Sequence, residues 1–378
     1  MLGLPGVRRT SAPAAVQGPA GSATGPATGA PAQARPDDDR LVDRFGRFGT
    51  DLRVSLTDRC NLRCSYCMPP EGLDWLPDDS VLSDHEIIRL ITVAVQRLGV
   101  EEVRFTGGEP LLRKGLERIL AATTALRTAS GAVPQTALTT NGLGLERRAA
   151  GLKAAGLHRI NVSLDTLDRA RFVRLAHRDR LDDVLAGLRA AADAGLTPVK
   201  VNTVLLRGVN DDEAVPLVRW ALAHGYQPRF IEQMPLDAQG GWDRDTMITA
   251  AEMLAALQAE LTLTPTHPAT RGASPAESWL VSGTDLAPGT TGTVGIVASV
   301  TRPFCGDCDR SRLTADGQLR NCLFAGGETD LRGPLRQGAS DDEIAALWRG
   351  NMWVKEAGHG IDDPSFLQPD RPMSAIGG

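Results

Sequence analysis

Between Leu52 and Leu261 a short β-rich run gives way to a helical stretch six times in succession. The pairs are Leu52–Leu56 with Asp84–Leu98, Val103–Phe105 with Leu116–Leu126, and Ala137–Thr140 with a helix through about Ala155. Ile160–Leu164 with Leu181–Ala194, Val199–Leu205 with Glu213–Ala223, and Arg229–Ile231 with Ala250–Leu261 complete the series. Consecutive βα units pair in parallel through right-handed crossovers, so the chain is predicted to be α/β. Six units are too few for a closed eight-stranded barrel. No Gly-x-Gly-x-x-Gly follows the first run, which disfavours a nucleotide-binding open sheet. The expected fold is an incomplete, TIM-like (β/α)6 barrel over residues 43–262.

The pattern changes after Thr262. A Thr/Pro/Gly-rich stretch leads to a strand at Thr293–Val300, then a hairpin of Arg312–Leu313 and Leu319–Phe324 turning at Asp316-Gly317. A helix follows at about Asp341–Arg349. Residues 263–378 are expected to form a smaller α+β module packed across the open side of the barrel. At the other end, residues 1–36 hold nine Ala, six Pro, six Gly and no acid. Such a stretch buries too little apolar surface to offset its chain entropy, so a disordered extension is expected over 1–42, with an Arg-bearing transit peptide as the alternative.

No run approaches the ~18 apolar residues of a membrane span. A net charge of −5 argues against non-specific nucleic-acid binding. Lysine occurs only at 114, 153, 200 and 355, so the basic residues are nearly all arginine, whose fork suits phosphate. Six cysteines fall into two groups of three, without the apolar leader of a secreted protein; this points to metal binding in the cytoplasm rather than to disulfides.

The first group, Cys60-x-x-x-Cys64-x-x-Cys67, follows the first strand directly, where a βα barrel places its active site. Three thiolates can grip an iron–sulfur cube and leave one iron open; a zinc knuckle would need a fourth ligand. Thr106-Gly107-Gly108-Glu109-Pro110 follows the second strand. Paired glycines allow close backbone approach to a ligand, and the carboxylate can hold an ammonium group. The second group is Cys305-x-x-Cys308 with Cys322. It reads as a second three-thiolate cluster site, as zinc completed by a residue such as His359, or as a redox dithiol. Arg310-Ser311-Arg312 lies beside it and suits an anionic substrate, unless the arginines merely face solvent.

The first triad, with Tyr66 before its last cysteine and the Gly-Gly-Glu run after strand two, resembles the radical S-adenosylmethionine superfamily. From Arg53 onward the chain resembles the molybdenum-cofactor biosynthesis protein A family of GTP 3′,8-cyclases. The motifs are Leu52–Asn61, Val103–Pro110, Leu138–Gly142, Arg159–Asp165, Val199–Asn202, Arg229–Met234, Phe304–Arg312 and the Gly377-Gly378 end. The resemblance implies two 4Fe–4S clusters, one on Cys60, Cys64 and Cys67 and one on Cys305, Cys308 and Cys322. It implies S-adenosylmethionine contacts at Tyr66, Gly108, Ser163 and Met234. GTP contacts are implied at Arg53, Arg104, Thr139, Lys200, Arg310, Ser311 and Arg312. Arg310, Arg312 and the Gly377-Gly378 tail are implied to act in catalysis. The implied reaction is radical closure of ribose C3′ onto guanine C8, with an external electron donor and a downstream cyclic pyranopterin monophosphate synthase as partners. Homodimerisation is left open.

Overall fold

The computed structural model describes residues 34–267, 271–282, 291–363 and 366–377. The expectation of disorder therefore lies, for residues 1–33, outside the described residues. Pro36–Gly378 forms one compact unit. Its ordered packing starts earlier than the expected boundary at 42: Leu41 is fully buried and donates its N–H to the Leu98 carbonyl at 3.0 Å.

Six βα units appear as expected. They are β1 (Asp51–Ser55) with α1 (Asp84–Arg97), β2 (Glu102–Thr106) with α2 (Leu116–Thr124), and β3 (Gln135–Thr140) with α3 (Leu145–Ala154). Next, β4 (Arg159–Ser163) is followed by two helices, α4 (Arg169–Ala176) and α5 (Leu181–Asp193). Then come β5 (Val199–Val204) with α6 (Ala214–Ala223) and β6 (Gln227–Ile231) with α7 (Ala250–Gln258). The helix starts were legible locally: Ser83 with Glu86 and Thr249 with Glu252 form capping boxes.

Beyond α7 lie β7 (Thr262–Pro265), β8 (Glu277–Ser282) and β9 (Gly292–Val297), then β10 (Arg310–Leu313), β11 (Gln318–Arg320) and β12 (Thr329–Asp330). The chain ends with α8 (Arg332–Arg336), α9 (Asp341–Trp353) and a single turn, α10 (Met373–Ile376). All twelve strands join one sheet, ordered β12-β11-β10-β1-β2-β3-β4-β5-β6-β9-β8-β7. The C-terminal strands join the partial barrel through the sheet itself. They lengthen the parallel sheet at both edges, β10 pairing in parallel with β1 and β9 with β6. Both edges of the partial barrel gain backbone partners, which moves the open edges outward to β12 and β7.

Alternation along the strands sorts the chemistry. Leu52, Val54, Val103, Phe105, Ile160, Val162 and Val201 point to the helices and are essentially inaccessible to solvent. The intervening residues Arg53, Arg104, Asn161, Lys200 and Asn202 point to the opposite, concave face, because successive side chains in a strand alternate. No helix among the described residues is long and apolar enough to cross a membrane.

Candidate active site

Two cavities adjoin on the concave face. The smaller, about 200 Å³, is lined by the first cysteine triad, Tyr66, Gly107-Gly108, Ser163 and Met234. The larger, about 410 Å³, is lined by Arg53, Arg104, Thr139, Lys200, Arg310 and Arg312. Thr139, Asn202, Ile231 and Met234 line both and form the shared wall.

The triad loop is held by backbone. Arg63 and Ser65 donate their N–H groups to Ala176 and Leu175 at the end of α4, and Cys67 donates to the Cys64 carbonyl at 2.8 Å. Gly107 and Gly108 pack against this loop so closely that a Cβ on Gly108 would sit 2.4 Å from the Asp58 and Arg59 carbonyl oxygens. Gly107 has φ +139°, a conformation that side chains disfavour. Glu109 departs from expectation. It is fully buried, lines neither cavity, and accepts from Thr140 Oγ1 at 2.6 Å and from the N–H groups of Asn141 and Leu111. Burial lifts its carboxyl to about 7 against those donors. Its carboxylate braces the end of β3 instead of reaching a ligand's ammonium. The acid that does line the small cavity is Asp165, which the sequence reading passed over. It accepts from Tyr66 Oη at 2.8 Å and from the Val204 N–H, and burial raises it to about 6.

The larger cavity is built around a row of cations. Arg312, Arg53 and Arg104 occupy matched register positions on β10, β1 and β2. Arg159, Arg229, Lys200 and Arg310 complete seven basic side chains, against Asp51, Glu102 and Asp309. Burial, then mutual repulsion, lowers the pKa of Arg229 to about 10, Arg312 to about 10 and Lys200 to about 7. Buried atoms without hydrogen-bond partners gather here: Nε of Arg53, Arg104, Arg229 and Arg310, and Oδ1 of Asn161 and Asn202. Such groups carry a desolvation cost unless a ligand satisfies them. Ser311 differs in orientation from the other residues of the expected GTP set. It points the opposite way from its flanking arginines, and its Oγ accepts from Trp348 Nε1 at 2.9 Å within the core.

The second triad sits at the edge of the larger cavity, which its neighbours Phe304, Asp309 and Leu323 line. Burial raises the Cys305 pKa, and Cys322 and Cys308 add to the shift. His359 does not complete a zinc site. Its Nε2 lies 2.9 Å from the Ser299 carbonyl and its Nδ1 accepts from the Ile361 N–H, so both ring nitrogens are engaged. All six cysteines are free thiols. Among the described residues, no three His, Cys, Asp or Glu side chains gather tightly enough for a single metal ion. A four-iron cube takes one thiolate per iron and spreads its ligands wider, so two three-thiol sets fit such clusters better than zinc.

The C-terminus threads between the two cavities. Met373 and Ser374 line the smaller one, and the Ser374 N–H donates to Cys67 Sγ. Gly377, at φ +73°, passes so close to β1 that a Cβ would lie 2.3 Å from Ser55 Oγ, and its carbonyl accepts from Arg312. Arg371 anchors the segment through Asp316 Oδ1 at 2.9 Å and Glu328 Oε2 at 3.1 Å. Gly378 lies outside the described residues.

Residues 54–221 match the Radical SAM superfamily, and residues 226–361 match the Molybdenum Cofactor Synthesis C family. A GTP 3′,8-cyclase of Mycolicibacterium smegmatis is 58% identical over 381 residues, covering 100% of this chain and 99% of its own. Those of Corynebacterium glutamicum and Streptomyces coelicolor are each 61% identical over 338 residues, 89% of this chain and 89% and 96% of theirs. The chain belongs to the GTP 3′,8-cyclase family. Among solved structures, Streptococcus suis SuiB bound to S-adenosylmethionine shares the fold, with TM-score 0.54 and 14% identity over 86% of this chain and 77% of that one. The cofactors of this GTP 3′,8-cyclase family member are S-adenosylmethionine and two 4Fe–4S clusters. Sequence reasoning missed Asp51, Arg159, Asn161, Asn202 and Arg229 in the larger cavity. Their signal was present: each takes an inward turn of a strand whose outward residues are apolar.

Proposed function

We propose that the chain converts GTP to 3′,8-cyclo-7,8-dihydro-GTP, with S-adenosylmethionine in the smaller cavity and GTP in the larger. The observation that carries this reading is the Arg312–Arg53–Arg104 row, one short wall away from a cysteine triad on the concave face. An excess of buried cations with unsatisfied Nε donors suits a triphosphate and has no evident use with a neutral peptide. When bound, the first cluster and S-adenosylmethionine supply an electron and a hydrogen-abstracting 5′-deoxyadenosyl radical.

The protein's part is placement. Cys60, Cys64 and Cys67 hold the first cluster, and Tyr66, Gly108, Ser163 and Met234 seat S-adenosylmethionine. Cys305, Cys308 and Cys322 would hold the second cluster, which would seat the guanine edge of GTP. Arg53, Arg104, Lys200, Arg310 and Arg312 clamp the triphosphate, and Thr139 contacts the substrate from the shared wall. Ile231 and Met234 make part of that wall apolar. An external electron donor and a downstream cyclic pyranopterin monophosphate synthase complete the reading. The six free cysteines suit a reducing cytoplasm. The direct test is anaerobic reconstitution followed by incubation with GTP, S-adenosylmethionine and reductant, scoring 5′-deoxyadenosine and cyclised nucleotide. Deoxyadenosine formed at the same rate with and without GTP, and no cyclised nucleotide, would sink the reading.

Arg310→Ala and Arg312→Ala should each weaken GTP binding by about 1.5–3 kcal/mol, the range for hydrogen bonds to charged groups, with both clusters retained. Unchanged affinity by calorimetry would remove these arginines from the substrate site. Lys200 gives a pH signature. Its pKa of about 7 leaves it partly neutral in the free protein at neutral pH. A bound polyphosphate favours the ammonium form, so GTP binding should take up a proton, and affinity should fall as pH rises above 7. Calorimetry in buffers of different ionisation enthalpy measures the uptake. Lys200→Arg should show less uptake than the native chain, and equal uptake would take Lys200 out of the site.

A further inference from the structure

We infer that Lys355 is a positioning residue for the second cluster: a fixed positive charge that holds Cys308 and sets the cluster's reduction potential. Lys355 is only 2% exposed. Its Nζ lies 2.8 Å from the Arg310 carbonyl, 3.2 Å from the Cys308 carbonyl and 3.3 Å from Cys308 Sγ. These three contacts use the three N–H donors of an ammonium group. Among the described residues no carboxylate forms an ion pair with it, although a buried charge is costly unless an opposite charge compensates it. The negative group within reach is the Cys308 thiolate with whatever that thiolate binds.

The placement of Lys355 is enforced from outside. Arg47 donates to the Glu356 carbonyl at 2.6 Å and the Ala357 carbonyl at 3.0 Å, and also to the Cys305 carbonyl. Arg47 is itself paired with Asp43 at 2.5 Å. One arginine from the start of the compact unit thus ties the segment after Lys355 to the loop of the second triad. Lys355 in turn grips the backbone of Arg310, whose side chain lines the substrate cavity. Cluster and substrate arginine therefore share one anchor.

Two known levers on an iron–sulfur cluster are hydrogen bonds to its sulfurs and the net charge around it. Lys355 supplies both, and both favour the reduced, more negative state. The inference rests on the second triad holding a cluster. Cys305→Ala tests that separately: if the reconstituted variant keeps as much iron as the native chain, the cluster reading fails, whatever Lys355 does.

The experiment is a potentiometric titration followed by electron paramagnetic resonance on the reconstituted full chain, with Lys355→Met and Lys355→Arg beside it. Iron and sulfide content are measured on every sample. The signal absent from Cys305→Ala identifies the second cluster. Lys355→Met is expected to keep the first cluster unchanged and shift the second to a more negative potential. Lys355→Arg, which retains the charge, is expected to return most of that shift. If Lys355→Met loses the second cluster while Lys355→Arg keeps it, the charge is likewise required. An unchanged potential in Lys355→Met, equal shifts in both clusters, or loss of the second cluster in both variants would overturn the inference and leave Lys355 a packing residue.

Discussion

Replacing any one of Cys60, Cys64 or Cys67 with Ala should abolish S-adenosylmethionine cleavage, whereas Cys322→Ala should leave cleavage and stop cyclisation. The asymmetry follows from the two cavities. The first triad lines the smaller one, with Tyr66 and Gly108, and nothing else there offers iron a thiolate. Loss of one ligand of three removes the cluster that delivers the electron. Cys322 lies two residues beyond β11, next to Leu323 of the larger cavity and outside the S-adenosylmethionine pocket. Its loss disturbs the seat of the guanine and leaves the first cluster in place. The measurement is 5′-deoxyadenosine and cyclised nucleotide from the same reaction, with iron content as control. Equal uncoupled cleavage in Cys60→Ala and Cys322→Ala would reverse or merge the assigned roles.

Deleting Gly377 and Gly378 should lower the ratio of cyclised product to 5′-deoxyadenosine by roughly a hundredfold, the cost of misplacing reacting atoms by about 1 Å. Gly377 is not a frayed end. Its carbonyl accepts from Arg312 beside Ser55, and Ile376 is fully buried. Without that acceptor, Arg312 is free to leave the position from which it holds the triphosphate. The clusters should stay loaded, because Met373–Ile376 and the Ser374 contact to Cys67 remain. Gly377→Val tests the same point by overfilling: its Cβ would lie 2.3 Å from Ser55 Oγ, and φ +73° strains a β-branched residue. A native ratio in both variants would mean that the tail plays no part in placing the substrate.

Much of this was legible before any coordinates. The six βα units read correctly because each strand is apolar on its outer face, and the first and last of their helices open with capping boxes. The first of the two helices after β4 escaped notice: Arg169–Ala176 is short and rich in arginine, so it has no long apolar stripe. β7 and β8 were hidden in a Thr/Pro/Gly-rich stretch, and only Trp279 and Val281 betray a buried face. That β9 and β10 pair with opposite edges of one sheet could not be read at all, since pairing between distant segments leaves no local pattern. Both triads were legible because metal ligands cluster in sequence. The cation row was only half legible. Arg310 and Arg312 stood out beside a cysteine, but Arg159 and Arg229 show only in the alternation of their strands, which does not say that the inner face lines a cavity. Glu109 misled for the opposite reason: its motif suggested a ligand contact, while its hydrogen bonds run to β3 and its flanking turn.

The central claim is that the cation-lined cavity holds GTP with its ribose C3′ facing the S-adenosylmethionine pocket. Cyclisation removes the C3′ hydrogen and returns one electron and one proton, so the product is isomeric with GTP and its mass alone says little. Deuterium at C3′ resolves the matter. With GTP deuterated there, the reconstituted chain should give 5′-deoxyadenosine carrying one deuterium and a cyclised nucleotide that has lost it. Unlabelled 5′-deoxyadenosine, with the deuterium still in the nucleotide, would contradict the placement of GTP derived from this site.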